Sequence, residues 1–353
     1  MNLTNKQLRG RIVGLARGGE PAAARCPHAP PAGMCGGCTF QAVAYADQAR
    51  AKHAALRELW AAPGIFDTPL PAEDVARIGF VASPDPFAYR TRMDYVASRG
   101  RFGLRRGGKF NYIVDLGECH LVPPGAFAAA RAVYERAAAL GLPDYNLRSH
   151  EGFLRYVVVR RSPDDELLLA VVTAAPDDAG ERAAALAQVA EAALALPGVL
   201  GFHWLVNDSR TDVSFGRIER HWGAELLPMR VGARTLQIGP NTFFQNNVHL
   251  LLPLLDGVLA AVVGVAEDQR PRTKDQSSGA SVVGPSSSVL GPSSLVVADL
   301  YGGVGTIALH LAGAVGQVVC VEAVAESAAL AAGNARANGC ANVAAVAADT
   351  LAF

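Results

Sequence analysis

Residues 295–322 read LVVADLYGGVGTIALHLAGAVGQVVCVE, and the fold turns on them. LVVADL is a continuous apolar run of strand length, closed by Asp299. Gly303 and Gly305 then shape a tight turn that opens into an apolar helix. QVVCVEA is a second strand ending at Glu322, SAALAAGNARANG a second helix, and NVAAVAAD a third strand ending at Asp349. This βαβαβ order predicts half of a doubly wound parallel sheet. Ligands of such sheets lie beyond the carboxyl ends of the strands, where Asp299, Glu322 and Asp349 fall.

Two ligands fit the turn. Gly303-x-Gly305-x-x-Ala308 matches a dinucleotide fingerprint. Asp-x-x-x-Gly-x-Gly, with an acid before the turn, matches an S-adenosylmethionine site, which needs no third small residue because that ligand has no pyrophosphate. A purely structural turn is the third reading. In either ligand, Glu322 can accept hydrogen bonds from both ribose hydroxyls, and Asp349 stands within reach of an adenine amino group.

Upstream, residues 266–294 are rich in Ser, Gly and Pro and end in a tandem repeat, SVVGPSS then SVLGPSS. Such a segment buries too little apolar surface to offset its chain entropy, which predicts a disordered insertion. Before it, helices are expected over 39–61 (stopped by Pro63-Gly64), 126–140 and 178–195. Strands are expected within 78–122, with a hairpin at Arg99-Gly100, at 153–160 and 167–173 around the turn SPDDE, and again within 199–245.

Three of the six cysteines crowd into CPHAPPAGMCGGC, at Cys26, Cys35 and Cys38. Cys119, in DLGECHL, is the plausible fourth of the set. The Gly pair inside Cys-x-x-Cys lets backbone amides approach the sulfurs. Four thiolates suit either zinc or an iron–sulfur cube, and the lone fourth cysteine weighs against a zinc ribbon. The net charge is zero, yet seven basic residues against Asp94 lie between Arg90 and Lys109. No apolar run reaches the roughly 18 residues that span a bilayer. The first residues also lack the apolar core of a secretory signal. A cytoplasmic, membrane-free monomer is expected, in a compartment where thiols stay reduced.

Together these stretches resemble the RNA uracil-C5 methyltransferases of the RumA/TrmA type, in particular the iron–sulfur members acting on 23S ribosomal RNA. RCPHAPPAGMCGGCTFQAVAYADQ resembles the family's cysteine signature. FAYRTRMDYVASRGRFGLRRGGKFNYIVDLGECHLVP resembles its central β-domain, IGPNTFFQNN the segment before the catalytic domain, and DLYGGVGT its first methyltransferase motif. The resemblance implies an α/β plus α+β chain, in which an iron–sulfur loop region and a central β-rich domain precede an incomplete class I, Rossmann-like methyltransferase domain. The implied divisions are 1–25 (remnant of an RNA-binding barrel), 26–69, 70–245 and 246–353. The implied cofactors are a [4Fe-4S] cluster on Cys26, Cys35, Cys38 and Cys119, and S-adenosylmethionine on Gln245, Tyr301, Gly303, Gly305, Thr306, Glu322 and Asp349. RNA is the implied partner, ribosomal rather than transfer RNA. Phe243 is implied to lie near the target base, and Arg90, Arg92, Arg99, Arg101, Arg105, Arg106 and Lys109 could line a phosphate-binding surface. In the family's reaction a cysteine thiolate adds at C6 of a flipped uracil, C5 takes the methyl group, and a base removes the C5 proton.

Four departures from the family pattern set further expectations. RGRIVGLARGGE resembles only the first strand and turn of a barrel that needs about 50 residues. Gly302 stands where the family has Cys, a change expected to be tolerated. The insertion falls just before the first motif. The Asp-Pro-Pro motif, nucleophilic Cys and Glu base of the family have no counterpart up to Phe353, so no catalytic residue is expected and the chain alone is expected to be inactive. Neither Cys320, in an apolar strand, nor Cys340 fits the nucleophile's position, and the half-sheet is expected to leave an apolar strand edge unpaired. A catalytically dead RNA-binding iron–sulfur module and an NAD-linked iron–sulfur oxidoreductase are the competing classes.

Overall fold

The computed structural model describes residues 5–62, 66, 68–268 and 294–351. The chain divides into two units, residues 1–160 with 167–223 and residues 161–166 with 224–353.

In the first unit, helices α1 (Asn5–Ala16), α2 (Tyr45–Ala61) and α3 (Ala72–Arg77) precede a meander of β1 (Arg92–Ser98), β2 (Arg101–Arg106) and β3 (Lys109–Asp115). There follow α4 (Pro124–Ala139), β4 (Leu154–Arg161), β5 (Leu167–Thr173), α5 (Ala179–Leu194), β6 (Val199–Val206) and β7 (Arg217–Gly223). The strands form one seven-stranded sheet in the order β3-β2-β1-β4-β5-β6-β7. β5 and β6 are parallel and joined through α5, as a parallel pair requires a crossover. The two-residue turn between β1 and β2 carries positive φ at both Arg99 (56°) and Gly100 (72°), the geometry that matches strand twist. α5 begins at Asp178, whose carboxylate accepts from the Glu181 N–H at 2.9 Å.

The main core lies between the sheet and helices α4 and α5. Ala126, Ala129, Ala130 and Ala137 on α4, and Ala190 and Ala193 on α5, are all buried in it. Facing them are Met93 and Tyr95 of β1 and Val157 and Val159 of β4. Alternate strand positions build a second cluster with Val96, Tyr156, Val158, Ala170, Val172 and Leu205. Both faces of β4 and β5 are therefore buried: β5 reads as a continuous apolar run rather than an alternating one, while β4 buries Arg155, Arg160 and Arg161 along with its apolar residues.

In the second unit a hairpin of β8 (Leu227–Val231) and β9 (Arg234–Ile238) precedes α6 (Leu251–Asp268). Then come β10 (Val296–Leu300), α7 (Thr306–Leu311), β11 (Gln317–Glu322), α8 (Ala325–Ala337) and β12 (Val343–Ala347). β10, β11 and β12 form the expected parallel sheet in that order, with Asp299 opposite Cys320 and Glu322 opposite Ala347. Its core is Ala308, Leu311, Val315, Val318, Cys320 and Ala331, with Val258, Leu259 and Val262 of α6 packed against it. Among the described residues β10 pairs on one side only, and its Val296 and Leu300 are exposed.

Three expectations are corrected. RGRIVGLARGGE does not open with a strand; it continues the helix α1. Without a partner strand, a helix satisfies its backbone internally, and α1 packs on α2 with Arg11 bonded to both carboxylate oxygens of Glu58 (2.6 and 2.8 Å). The helix expected from residue 39 starts only at Tyr45. Residues 40–44 are drawn instead into pairing with residues 20–22, through Ala22 N–H to Ala42 O and Ala44 N–H to Glu20 O. The Gln48 amide also donates to Phe40 O and Val43 O. The third correction is that α6 runs to Asp268, into the first residues of the expected insertion. Residues 269–293 of that insertion and Pro63-Gly64 lie outside the described residues.

Candidate functional site

The four cysteines grouped by spacing line one pocket in the first unit. Cys26, Cys35 and Cys119 are buried and Cys38 is half-buried; all are free thiols. Two ties hold the loop of 26–38, one to the loop after β3 and one to β2. Gly117 N–H donates to His28 Nε2 (3.0 Å), and Gly36 N–H donates to Arg105 O (2.8 Å). The Gly pair between Cys35 and Cys38 is required by space. A Cβ on Gly36 would meet Arg105 O at 2.8 Å, and one on Gly37 would meet Leu104 Cδ1 at 2.7 Å. Gly37 N–H points at Cys35 Sγ (3.4 Å). Burial pushes the Cys35 thiol up to about 11 and raises Cys38 and Cys119 as well.

Among the described residues, no group of three or more His, Cys, Asp or Glu side chains is arranged to hold a metal ion, so the sulfurs share the pocket without being drawn into a ligand cage. Their surroundings nevertheless suit thiolates. Gln41 Nε2, Arg90 Nε and Tyr95 Oη are buried donors without a hydrogen-bond partner among the described residues. Gln41 faces Cys38, Tyr95 faces Cys119, and Arg90 acts on both sulfurs. An unmet buried donor costs about 1–3 kcal/mol. Three around four sulfurs fit a group that leaves those sulfurs anionic.

The basic stretch occupies the β1–β2–β3 meander. Arg90 turns toward the thiol pocket, with its Nη1 at 3.8 Å from Met93 Sδ. Arg92 is bonded to Asp94 (2.8 Å) and lies over Phe215; Arg105 is bonded to Asp212 (2.5 Å) and lies over Phe110. Their charges are largely met within the unit. Arg101 and Arg106 both stack on Tyr112, at 4.8 and 5.9 Å.

In the second unit, the turn after β10 places three residues at positive φ: Tyr301 (61°), Gly303 (56°) and Gly305 (85°). Tyr301 is 73% exposed. A Cβ on Gly305 would meet Leu309 Cδ1 at 2.8 Å, and Thr306 opens α7 directly after it. Glu322 ends β11, and its two carboxylate oxygens accept from Gly303 N–H (3.0 Å) and Val324 N–H (2.8 Å). This bond joins the glycine turn to the end of the second strand. Asp349 is exposed just beyond β12 and accepts from Leu351 N–H (2.9 Å). Asp299 is buried, accepts from Ala308 N–H (3.0 Å), and has its pKa raised by burial. The side chain of Cys320 fills the space beside Gly302: a Cβ on Gly302 would overlap Cys320 Sγ. Cys320 thus stands where a side chain on residue 302 would point. Burial, and then Asp299 and Glu322, pushes its thiol up to about 12.

Sequence reasoning missed Asn334 and Asn338. The Asn334 amide donates to Val304 O (3.0 Å) and Gln237 O (3.2 Å), and its oxygen accepts from Gln237 N–H (2.7 Å). Asn338 brackets Thr235 in the same way. The pair fastens the β8–β9 hairpin to α8 and to the glycine turn. The segment that follows the hairpin carries an exposed Phe243 (71%), a buried Phe244 and a half-buried Gln245. An Asn inside an alanine-rich helix, with a second at its C-terminal cap four residues on, was the available signal, since Asn within a helix is a poor helix former unless its side chain has a partner.

No family model matches the chain. It is 30% identical over 336 residues to an uncharacterized RNA methyltransferase of Caldanaerobacter subterraneus subsp. tengcongensis, covering 92% of this chain and 65% of that protein. It is 27% identical over 297 residues to the tRNA (uracil(54)-C(5))-methyltransferase of Pyrococcus abyssi, covering 81% of this chain and 57% of that protein. The chain thus spans less than two thirds of the length of these relatives. The crystal structure of the Pyrococcus abyssi tRNA (uracil-54, C5)-methyltransferase in complex with S-adenosyl-L-homocysteine superposes with a TM-score of 0.63 at 25% identity, covering 86% of this chain and 62% of that one. The homologues are thus RNA methyltransferases, uracil-C5 enzymes among them. Among the described residues, no helix is long and apolar enough to cross a membrane.

Proposed function

We propose that this chain binds S-adenosylmethionine and RNA in the service of uracil-C5 methylation. The observation that carries the reading is the second unit's parallel sheet. Glu322 at the end of β11 accepts from Gly303 N–H of a left-handed glycine turn, Asp349 follows the neighbouring strand β12, and the solved relative named above holds the demethylated form of the same donor. In this reading Glu322 takes the ribose hydroxyls and Asp349 the adenine amino group. Tyr301, Gly303, Gly305 and Thr306 form the bed of the ligand, and Gln245 reaches it from the segment after the hairpin. Phe243 lies near the target base.

Cys26, Cys35, Cys38 and Cys119 would hold a [4Fe-4S] cluster, supported by the orphaned donors around them. When bound, the group supplies four metal–thiolate links that fasten the 26–38 loop to residue 119, a folding role. The ribosomal target expected from the sequence has no support in the named relatives. We assign transfer RNA as the substrate class, on the name of the Pyrococcus abyssi enzyme. Reduced thiols suit the cytoplasm. Cys320 is fully buried and Cys340 nearly so, and neither is presented as a nucleophile toward C6. The reading for these residues is therefore donor and RNA binding.

Titration calorimetry with S-adenosyl-L-homocysteine tests the donor site. Binding is expected, with Glu322→Ala weakening it by about tenfold or more, from lost charge-assisted hydrogen bonds of about 1.5–3 kcal/mol. Binding of NADH in place of the donor would overturn the reading. Formation of 5-methyluridine in transfer RNA by this chain alone would show that it carries a nucleophile outside the residues considered above.

A further inference from the structure

A shallow groove in the first unit lies between the β1–β2 turn, the start of β3 and the 145–148 loop. It shares neither the thiols nor the glycine turn. Three guanidiniums line it, those of Arg99, Arg148 and Arg155, and none has a carboxylate partner among the described residues. The single acid in the lining, Asp212, is already bonded to Arg105 and to the Tyr156 hydroxyl. Arg155 is only 2% exposed. It spends its terminal nitrogens on the carbonyls of Asn207, Ser209 and Thr211, while its Nε is buried with no partner among the described residues. A buried cation held by carbonyl dipoles alone keeps its positive field. Arg148 is held by the oxygen of the Asn111 amide, in the orientation that accepts from Arg148 Nε (3.2 Å) and Nη2 (2.7 Å), which leaves its charge uncancelled.

The groove also presents flat surfaces. Phe110 is 56% exposed, with one ring face on Arg105. Tyr145 stacks on Arg155 at 4.6 Å. The walls are set before any ligand arrives: Asp144 accepts from Gly100 N–H (2.7 Å) and from the Tyr134 hydroxyl (3.3 Å), fastening the hairpin turn to the loop. Uncancelled guanidiniums beside an open aromatic face are the two elements that bind single-stranded nucleic acid, one for phosphate and one for a base.

We propose that this groove holds one unstacked nucleotide of the RNA, its base against Phe110 and its phosphate between Arg99 and Arg148. The inference rests on the reading of the chain as RNA-binding. An acidic protein segment would satisfy the arginines but not the exposed ring, so the nucleotide is favoured.

The experiment is fluorescence anisotropy of a short fluorescein-labelled, uridine-rich RNA with the full chain, beside calorimetry with S-adenosyl-L-homocysteine. Phe110→Ala and Arg148→Gln are each expected to weaken RNA binding about tenfold. Arg148→Gln is also expected to lower the salt slope by about one. Homocysteine-ligand affinity should stay unchanged in both. RNA affinity unaltered by both substitutions would overturn the groove and leave the donor reading standing. So would displacement of the RNA by polyglutamate at equal ionic strength as readily as by unlabelled RNA. A chain that binds the homocysteine ligand but no RNA overturns the groove together with the RNA half of the proposed function and leaves the donor half standing, and a chain that binds neither overturns the proposed function whole.

Discussion

Gly302→Ala is expected to destabilise the second unit through one contact that a second substitution relieves. Gly302 has an ordinary backbone conformation, so a side chain there is not strained by φ. The obstacle is space. The added Cβ would overlap Cys320 Sγ and come within 3.2 Å of Asp299 Oδ2 and 3.3 Å of Asp299 O. Overpacking of this kind costs about 1–3 kcal/mol. Cys320→Ala alone removes a fully buried sulfur and should cost about 1 kcal/mol, the scale of a lost methyl group. In the double variant the new Cβ enters the space the sulfur leaves, so the two losses should not add. The coupling should be about 1–2 kcal/mol in favour of the pair. Urea denaturation followed by far-UV circular dichroism reads both units. All three tryptophans, Trp60, Trp204 and Trp222, lie in the first unit, so their fluorescence reads that unit alone and should not shift. A Gly302→Ala protein as stable as the unsubstituted chain would refute the packing argument, as would strictly additive losses in the double variant.

Asn334→Ala should cost the second unit about 1–3 kcal/mol by leaving the bonded backbone groups of Gln237 and Val304 unmet, and should weaken S-adenosyl-L-homocysteine binding because the hairpin is no longer fastened to the turn; calorimetry and urea melts measure the two effects. Burial raises the Asp299 pKa, so the folded state holds its proton to higher pH than the unfolded state does. The second unit should therefore lose stability as pH rises from the ordinary carboxylate range through the raised value, and Asp299→Asn should flatten that slope in urea melts across the same range. Anaerobic reconstitution with iron and sulfide should turn the chain brown, and Cys119→Ser should remove the colour and lower the melting temperature of the first unit, read by tryptophan fluorescence. A chain that binds zinc instead, and stays colourless, would contradict the cluster assignment.

The sequence by itself determined the parallel sheet, because the apolar runs LVVADL, QVVCV and NVAAVA alternate with helical segments, and a period of residues carries that information locally. It also grouped Cys26, Cys35 and Cys38 with a distant Cys119, because few structures other than a shared site explain three thiols in a Pro/Gly-rich loop. Only tertiary structure decided how residues far apart in the chain share space. The sulfur of Cys320 occupies the place beside Gly302, eighteen positions earlier, which no local pattern reports. Arg90 belongs with the thiols and not with the other arginines of its stretch, because it lies before β1, where its N–H donates to Leu121 O (3.0 Å) and holds it against the loop that carries Cys119. Residues 9–16 formed part of a helix rather than a strand because a strand needs a partner, and the partner is not written in the strand's own residues. The groove of Arg99, Phe110, Arg148 and Arg155 drew on four separated segments. Its character depends on which charges are cancelled, and cancellation is a property of distances between side chains that only the folded chain sets.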